Sequence, residues 1–351
     1  GVLSFLTFGG SVACADDVPY RSYVYDVWGD AVVSPHAYEP RGTFTGLDLG
    51  VGVFRNPSDL HITPDGELIV VDTGNDRVVV YDIEAQRTSE VIDSFSRHGH
   101  TDRLNAPGGV FVHPRDGSLF ITDTGNRRIV VLDKTRAVDR IITAPESDII
   151  REDYDFLPAK VVADVAHRTY VVGPGMFEGV MEFDQGGAFQ GFLGSNRVSF
   201  DPWDWFMRQI STEEQRERMR LFIPEEFSNV DIDEDGFVFA VTSEENSEHP
   251  IKKINFLGLD ILNREGFFTP QGDVDVTYAQ DATHVGPSML VDVCVDVAGM
   301  YMILDAKRGR VFGYDEEGHL LYVFGGTGTQ EGTFVSPVAL DSYQNNVYVL
   351  D

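Results

Sequence analysis

Asp59, Lys160, Asn229 and Asp292 are the residues of this chain whose types and spacing could do chemistry together. When the internal copies of the sequence are superposed they fall on one position, shared with Gly109 and Ala339, two residues past a marker that is a proline in most copies. The fifth copy is placed by counting back from the turn at 296–299. Two carboxylates, an amide and an ammonium converging from separate copies could bind a polar ligand. The same groups could equally do no more than hold water in a polar channel.

Other sources of chemistry are sparse. The nine histidines are scattered, and none forms a His-x-x-x-His pair. His98 and His100 share a loop and could clip a metal weakly. There is no Gly-x-Ser-x-Gly elbow and no Cys/His nucleophile pair. Asp231-Ile232-Asp233-Glu234-Asp235-Gly236 opens like a calcium loop, but the twelfth position is Thr242 rather than the bidentate Glu such a loop needs. Its aspartates align with the strand and turn of other copies and read as solvent-side residues.

The elements that must position these groups are strands. Asp72-Thr73-Gly74-Asn75-Asp76-Arg77-Val78 returns as Asp123-Thr124-Gly125-Asn126-Arg127-Arg128-Ile129, 51 residues later. Copies begin at Pro57, Pro107, Pro158, Phe227, Pro287 and Pro337, which gives six. Within each, apolar residues alternate along a first strand (Leu60 and Ile62, Val110 and Val112, Val161 and Ala163), the period of a pleated strand. A second strand is a continuous β-branched run, as at 68–71 and 119–122, which suits a strand covered on both faces. Short strands and turns at this period point to propeller blades. The repeated polar motif reads as turn chemistry, with Asp and Asn bonding backbone, Gly at positive φ and Arg bridging blades.

The two Asp-Thr-Gly-Asn-x-Arg motifs and the spacer Phe324-Gly325-Gly326-Thr327-Gly328-Thr329-Gln330-Glu331-Gly332-Thr333-Phe334 resemble the NHL-repeat family of six-bladed propellers, in its bacterial, extracytoplasmic form. The resemblance covers most of the chain and implies an all-β, six-bladed β-propeller. Asp59, Asn229 and Asp292 are also similar to the carboxylate-amide-carboxylate metal site of gluconolactonase-like propellers. There a divalent cation polarises a lactone or ester. Those enzymes place a Glu first, and Lys160 would oppose a cation. The ubiquitin-ligase modules attached to animal relatives need zinc-ligand cysteines that this chain lacks.

Between the third and fourth copies the spacing grows, and residues 199–222 read as a helical insertion. Asp201 caps a helix with Pro202 at its first position, and Trp203, Phe206, Met207 and Ile210 form one apolar stripe. Ser211 and Glu214 make a capping box for a second helix over 212–221. The pair either packs on the rim or forms a lid in which Trp203, Trp205 and Phe206 meet a partner.

The chain has 351 residues and a net charge of −30, which repels anionic partners and argues against nucleic acid. No 18-residue apolar run exists within residues 16–351, so no membrane span is expected there. Residues 1–15 read as the end of a signal peptide with Ala13-Cys14-Ala15 as the cleavage site, so that 16–351 is the mature propeller. A competing reading makes Cys14 a lipoprotein cysteine. Cys294 then remains as a buried structural thiol in a strand. The sixth copy stops after its second strand, and either residues 23–33 complete that blade or the chain continues. Two functions are carried forward. One is a secreted, non-catalytic propeller that engages a carbohydrate, peptide or protein, with no cofactor. The other is a metal-dependent lactonase or esterase acting at the channel mouth.

Overall fold

The computed structural model describes residues 2–8, 18–97, 99–145, 147, 150, 154–194, 226–245, 247–273, 286–296 and 299–351. They build an all-β propeller of five four-stranded antiparallel sheets and one three-stranded sheet. The first comprises Asp59–Ile62, Glu67–Asp72, Arg77–Asp82 and Arg87–Ile92, each strand pairing with the next in sequence. Sheets starting at Gly109–Val112, Lys160–Ala163 and Leu290–Val295 repeat that order. The three-stranded sheet is Asn229–Ile232, Val238–Val241 and Ile251–Ile254.

Each sheet follows from its local sequence. Thr63 to Glu67 is a tight turn in which the Gly66 N–H donates to the Thr63 carbonyl, and Gly66 takes φ 83°, a region costly for most side chains. Leu68, Ile69, Val70 and Val71 have no solvent exposure, as a second strand sandwiched between neighbouring sheets must. The core lies between facing sheets: Phe111 and Phe120 of one pack with Val161, Tyr170 and Phe183 of the next. A bulge recurs between third and fourth strands, at Val80/Tyr81, Val131/Leu132, Glu182/Phe183 and Gly313/Tyr314, adding twist to the outer edge.

The last sheet is closed from the N-terminal side, but by different residues from those expected. Its order is Ala339–Tyr343, Asn346–Leu350, Val2–Phe8 and Tyr38–Thr45. Tyr23–Tyr25 and Ala31–Val33 instead form a separate hairpin. Alternation alone could not tell a blade strand from a hairpin strand. Cleavage after Ala15 would remove Val2–Phe8, the strand between Asn346–Leu350 and Tyr38–Thr45. The helical pair expected at 199–222, with Trp203, Trp205 and Phe206, lies outside the described residues, as does Cys14. Among the described residues the only helical elements are two 3-10 turns, Thr73–Asn75 and Thr124–Asn126, and no helix is long and apolar enough to cross a membrane.

Those turns are the repeated polar motif, and their wiring differs in part from expectation. The buried Asp72 carboxylate accepts from the Arg55 N–H at 2.7 Å, Asn75 Nδ2 at 2.8 Å and Arg77 Nε at 2.7 Å. Asp123 does the same with Asn105, Asn126 and Arg128. The arginine serves its own motif, Arg128 also pairing with Asp102 just ahead of its sheet, and the bridge to the next blade is the threonine: Thr73 Oγ1 donates to the Pro107 carbonyl and Thr124 Oγ1 to that of Pro158. The left-handed residue is Asp76 or Arg127 rather than the glycine. Gly74 is small for another reason, since a Cβ there would sit 2.6 Å from the Arg55 carbonyl oxygen.

Candidate functional site

Asp59, Lys160, Asn229 and Asp292 line one small cavity of about 40 Å³ at the propeller axis. Asp59, Lys160 and Asn229 each begin the innermost strand of their sheet, Asp292 is the third residue of Leu290–Val295, and period two turns these side chains inward. Gly109 stands at this level because a Cβ would lie 2.3 Å from the Ala159 carbonyl oxygen. The four polar groups are engaged with one another. Lys160 Nζ lies 2.5 Å from Asp59 Oδ1 and donates to the Ser58 carbonyl at 2.8 Å, and Asn229 Nδ2 donates to Asp292 Oδ1. The Lys160 ammonium thus stands where a cation shared with Asp59 would need to be.

The carboxylates also staple neighbouring sheets. Asp59 Oδ2 accepts from the Val110 N–H at 2.9 Å and Asp292 Oδ2 from the Leu340 N–H at 2.6 Å, each in the next innermost strand. Burial pushes the Asp59 carboxyl up, with Lys160 drawing it back only in part. The Asp292 carboxyl is driven well up by burial, again against Lys160.

Two residues further along the same strands is a second tier that the sequence reading missed: His61, Asp231, Cys294 and Asp341, with Phe111 against the histidine. Asp231, expected to face solvent, faces the channel. It accepts from the Val295 N–H at 2.7 Å, and Asp341 accepts from the Ile62 N–H at 2.7 Å, two more staples between sheets. His61 Nδ1 lies 3.3 Å from Asp341 Oδ2. Desolvation, then repulsion from Asp341, raises the Asp231 carboxyl to about 7. The Cys294 thiol is buried, 3.4 Å from Asp341 Oδ1, and burial plus these carboxylates push it well up, so it stays protonated and inert. The superposition that selected the first tier would have found the second, had it been carried one strand period on.

A second, larger cavity of about 570 Å³ lies beneath the hairpin of Tyr23–Tyr25 and Ala31–Val33. Its wall is tyrosine ring (Tyr20, Tyr23, Tyr25) and Gly325-Gly326 backbone, with Arg21, Asp30, Asp273 and Arg310 as its charges. The Tyr23 and Tyr25 hydroxyls both donate to Asp273 Oδ1, and Arg310 Nη1 lies 2.5 Å from Asp273 Oδ2. Burial and the Asp273 carboxylate push both phenols up, so they remain donors. Trp28, at the tip of the same hairpin, is 84% exposed.

Sheets set around a plugged polar channel define a β-propeller. The NHL repeat family model matches residues 54–81, and together with the repeated sheets this supports an NHL-repeat propeller. No curated protein matches the chain. Among solved structures it is similar to virginiamycin B lyase from Staphylococcus aureus, at 8% identity over 84% of this chain and 94% of that one, TM-score 0.49. It is likewise similar to Kuenenia stuttgartiensis hydrazine synthase, at 12% identity over 84% and 95%, TM-score 0.49. A protein of unknown function from Bacteroides caccae gives 10% identity over 96% and 98%, TM-score 0.49.

Proposed function

We propose that this chain is a non-catalytic, extracytoplasmic binding propeller whose ligand sits in the cleft under the Tyr23–Tyr25 hairpin. The observation that carries the reading is the contrast in room. The axial cavity holds a few waters at most and Asp59, Lys160, Asn229 and Asp292 at its mouth are engaged with one another, whereas the cleft has the volume of a ligand site. Its charges balance, two arginines against two aspartates, and its faces are tyrosine rings. That combination suits a neutral saccharide, which stacks on aromatic faces and hydrogen-bonds at its edge.

In this reading the three-stranded sheet is a sixth blade. Its inner strand Asn229–Ile232 lies beside both Lys160–Ala163 and Leu290–Val295, and Ala339–Tyr343 in turn meets Asp59–Ile62, so six inner strands would close the ring. An isolated bridge between Ile254 and Asp260 marks where a fourth strand would start. Residues 199–222, with Trp203, Trp205 and Phe206, would be a partner-docking insertion. Export rests on the leader-like residues 1–15, and sequencing the N-terminus of the native protein tests it: a start near Asp16 supports it, and an intact Val2–Phe8 strand opposes it. The lactonase reading would need a cation to displace Lys160 from Asp59, and no contact favours that.

A glycan array probed with the full chain, beside a peptide array, tests the binding reading. Saccharide binding lost in Tyr25→Ala, with the circular dichroism spectrum kept, is the expected result. Binding to neither array, or binding indifferent to Tyr25→Ala, sinks it. Deletion of 199–222 that leaves binding untouched would remove the docking role of the insertion.

A further inference from the structure

At the far end of the inner strands from the channel mouth, three departures from the repeat meet at one point. In the ordinary blade turn the first residue accepts from the turn's own N–H groups. Asp164 Oδ1 takes those of Ala166 and Arg168, Asp233 Oδ1 those of Asp235 and Phe237, and Thr63 Oγ1 that of Glu67. In the second sheet that residue is His113, whose side chain accepts from none of them. The turn after it closes one residue later, on Gly117, and the extra residue brings in Asp116. In the third sheet the left-handed turn position, filled by Gly66, Gly236 and Gly299 elsewhere, holds His167 at φ 60°. Left-handed backbone strains a side chain, so such an exchange persists where the side chain has a use.

The three side chains converge. His113 Nδ1 lies 3.0 Å from Asp116 Oδ1, and His167 Nε2 lies 3.2 Å from Asp116 Oδ2. The two imidazole rings stack at 4.2 Å, and all three ligand atoms fall within 4.8 Å of one another. The side chain of His113 is only 1% exposed. Its Nε2 lies 3.1 Å from the Asp164 carbonyl oxygen, an atom that can only accept, so Nε2 carries the proton. In the neutral ring Nδ1 is then a bare lone pair. It makes no hydrogen bond, and it faces a carboxylate oxygen. Two such atoms at 3.0 Å repel unless a proton or a metal ion lies between them, and no hydrogen bond joins them. The nearby arginine does not supply it, because Arg168 is paired with Asp164 and Glu182.

We propose that His113, Asp116 and His167 form a zinc site with one open coordination position. Imidazole and carboxylate are zinc ligands, and a tetrahedral ion with bonds of about 2.0–2.1 Å sets its ligands roughly 3.3 Å apart, close to the spacings seen. The Asp164 carbonyl is the outer partner that fixes the His113 tautomer. Asp116 is 44% exposed and His167 22%, so the fourth position opens to solvent and takes water or an anionic or carbonyl oxygen. A turn of the His167 ring out of its stack completes the geometry. The exposed group Asp315, Glu317 and His319 has no buried lone pair and is the natural control.

The test is calorimetric titration of zinc into the chelator-treated full chain, with cobalt(II) absorption as a second readout. One zinc per chain and the intense visible bands of tetrahedral cobalt are expected. Both should weaken at least about 10-fold in Asp116→Ala and in His167→Gly, and be unchanged in His319→Ala. His167→Gly restores the residue that the turn prefers, so loss there cannot be ascribed to misfolding. No stoichiometric zinc, octahedral cobalt spectra, or binding kept in both variants would overturn the site. So would zinc that disappears with His100→Ala alone, which would place it on the 98–100 loop.

Discussion

The channel mouth and the His113 rim are both polar clusters drawn from several blades, yet they are built to opposite ends. At the mouth every side chain answers another: Lys160 meets Asp59, Asn229 meets Asp292, and the leftover carboxylate oxygens take N–H groups of the next sheet. At the rim, the buried His113 Nδ1 faces the Asp116 carboxylate without a hydrogen bond. A closed network rigidifies a ring of blades, whereas an open one is a ligand site in waiting. A ring of polar residues around an axis is therefore weak grounds for function until its partners are counted.

The mouth depends on the ring being shut, so removing the closing strand should do the most damage. Without residues 1–15 the last sheet loses Val2–Phe8, and with it both of that strand's pairings. The expected outcome is a lower Tm than any substitution below produces, with loss of cooperative unfolding, followed by circular dichroism. A truncated chain as stable as the full one would mean that this sheet is held by other contacts.

Next in size is the buried pair. Lys160→Met takes the ammonium partner from Asp59 at 6% exposure, which costs about 3–5 kcal/mol. Asp59→Asn on that background should recover much of it in urea unfolding. If Lys160→Met alone is nearly neutral, the mouth is wetter than its contacts indicate.

The second tier sharpens the contrast through pH. Asp231 titrates near 7 when folded against an ordinary value of 3.8, so the folded state holds its proton more tightly. Stability from this group is greatest at low pH and is lost as pH rises between about 4 and 7. His61, raised by Asp341 against its own desolvation, has the same sign. Denaturation midpoints across that window should fall with rising pH, and Asp231→Asn should flatten the fall. An unchanged slope in Asp231→Asn would assign it to Asp59 or Asp292 instead.

How far the sequence carried this is visible residue by residue. Superposing the copies on their marker position put Asp59, Lys160, Asn229 and Asp292 at one level because equivalent positions of repeated strands stand at equal depth. It could not report that Lys160 reaches Asp59, since that contact spans 101 positions and depends on how neighbouring blades sit. The motif Asp72-Thr73-Gly74-Asn75 read correctly as turn chemistry, but the roles of Gly74 and Arg77 were exchanged with those of Asp76 and Thr73, because backbone sign and reach across blades leave no trace in spacing. The histidines looked scattered for a similar reason. His113 and His167 are 54 apart, and only the stacking of adjacent blades brings them within 4.2 Å. The signal that could have found them was each residue's departure from its own repeat.

The smallest effect sits at the rim and turns on the same departures. In metal-free protein His167→Gly relieves a left-handed histidine and should stabilise the chain by about 1 kcal/mol, read as a small rise in urea midpoint. Zinc binds only the folded state of the unsubstituted chain and adds stability as RT ln(1 + [L]/Kd), about 2.7 kcal/mol at a hundredfold excess over Kd. The order of the two proteins should then reverse when zinc is added. That reversal separates a histidine kept for a ligand from one merely tolerated in a turn: if His167→Gly is the more stable protein with and without zinc, the rim is as inert as the mouth.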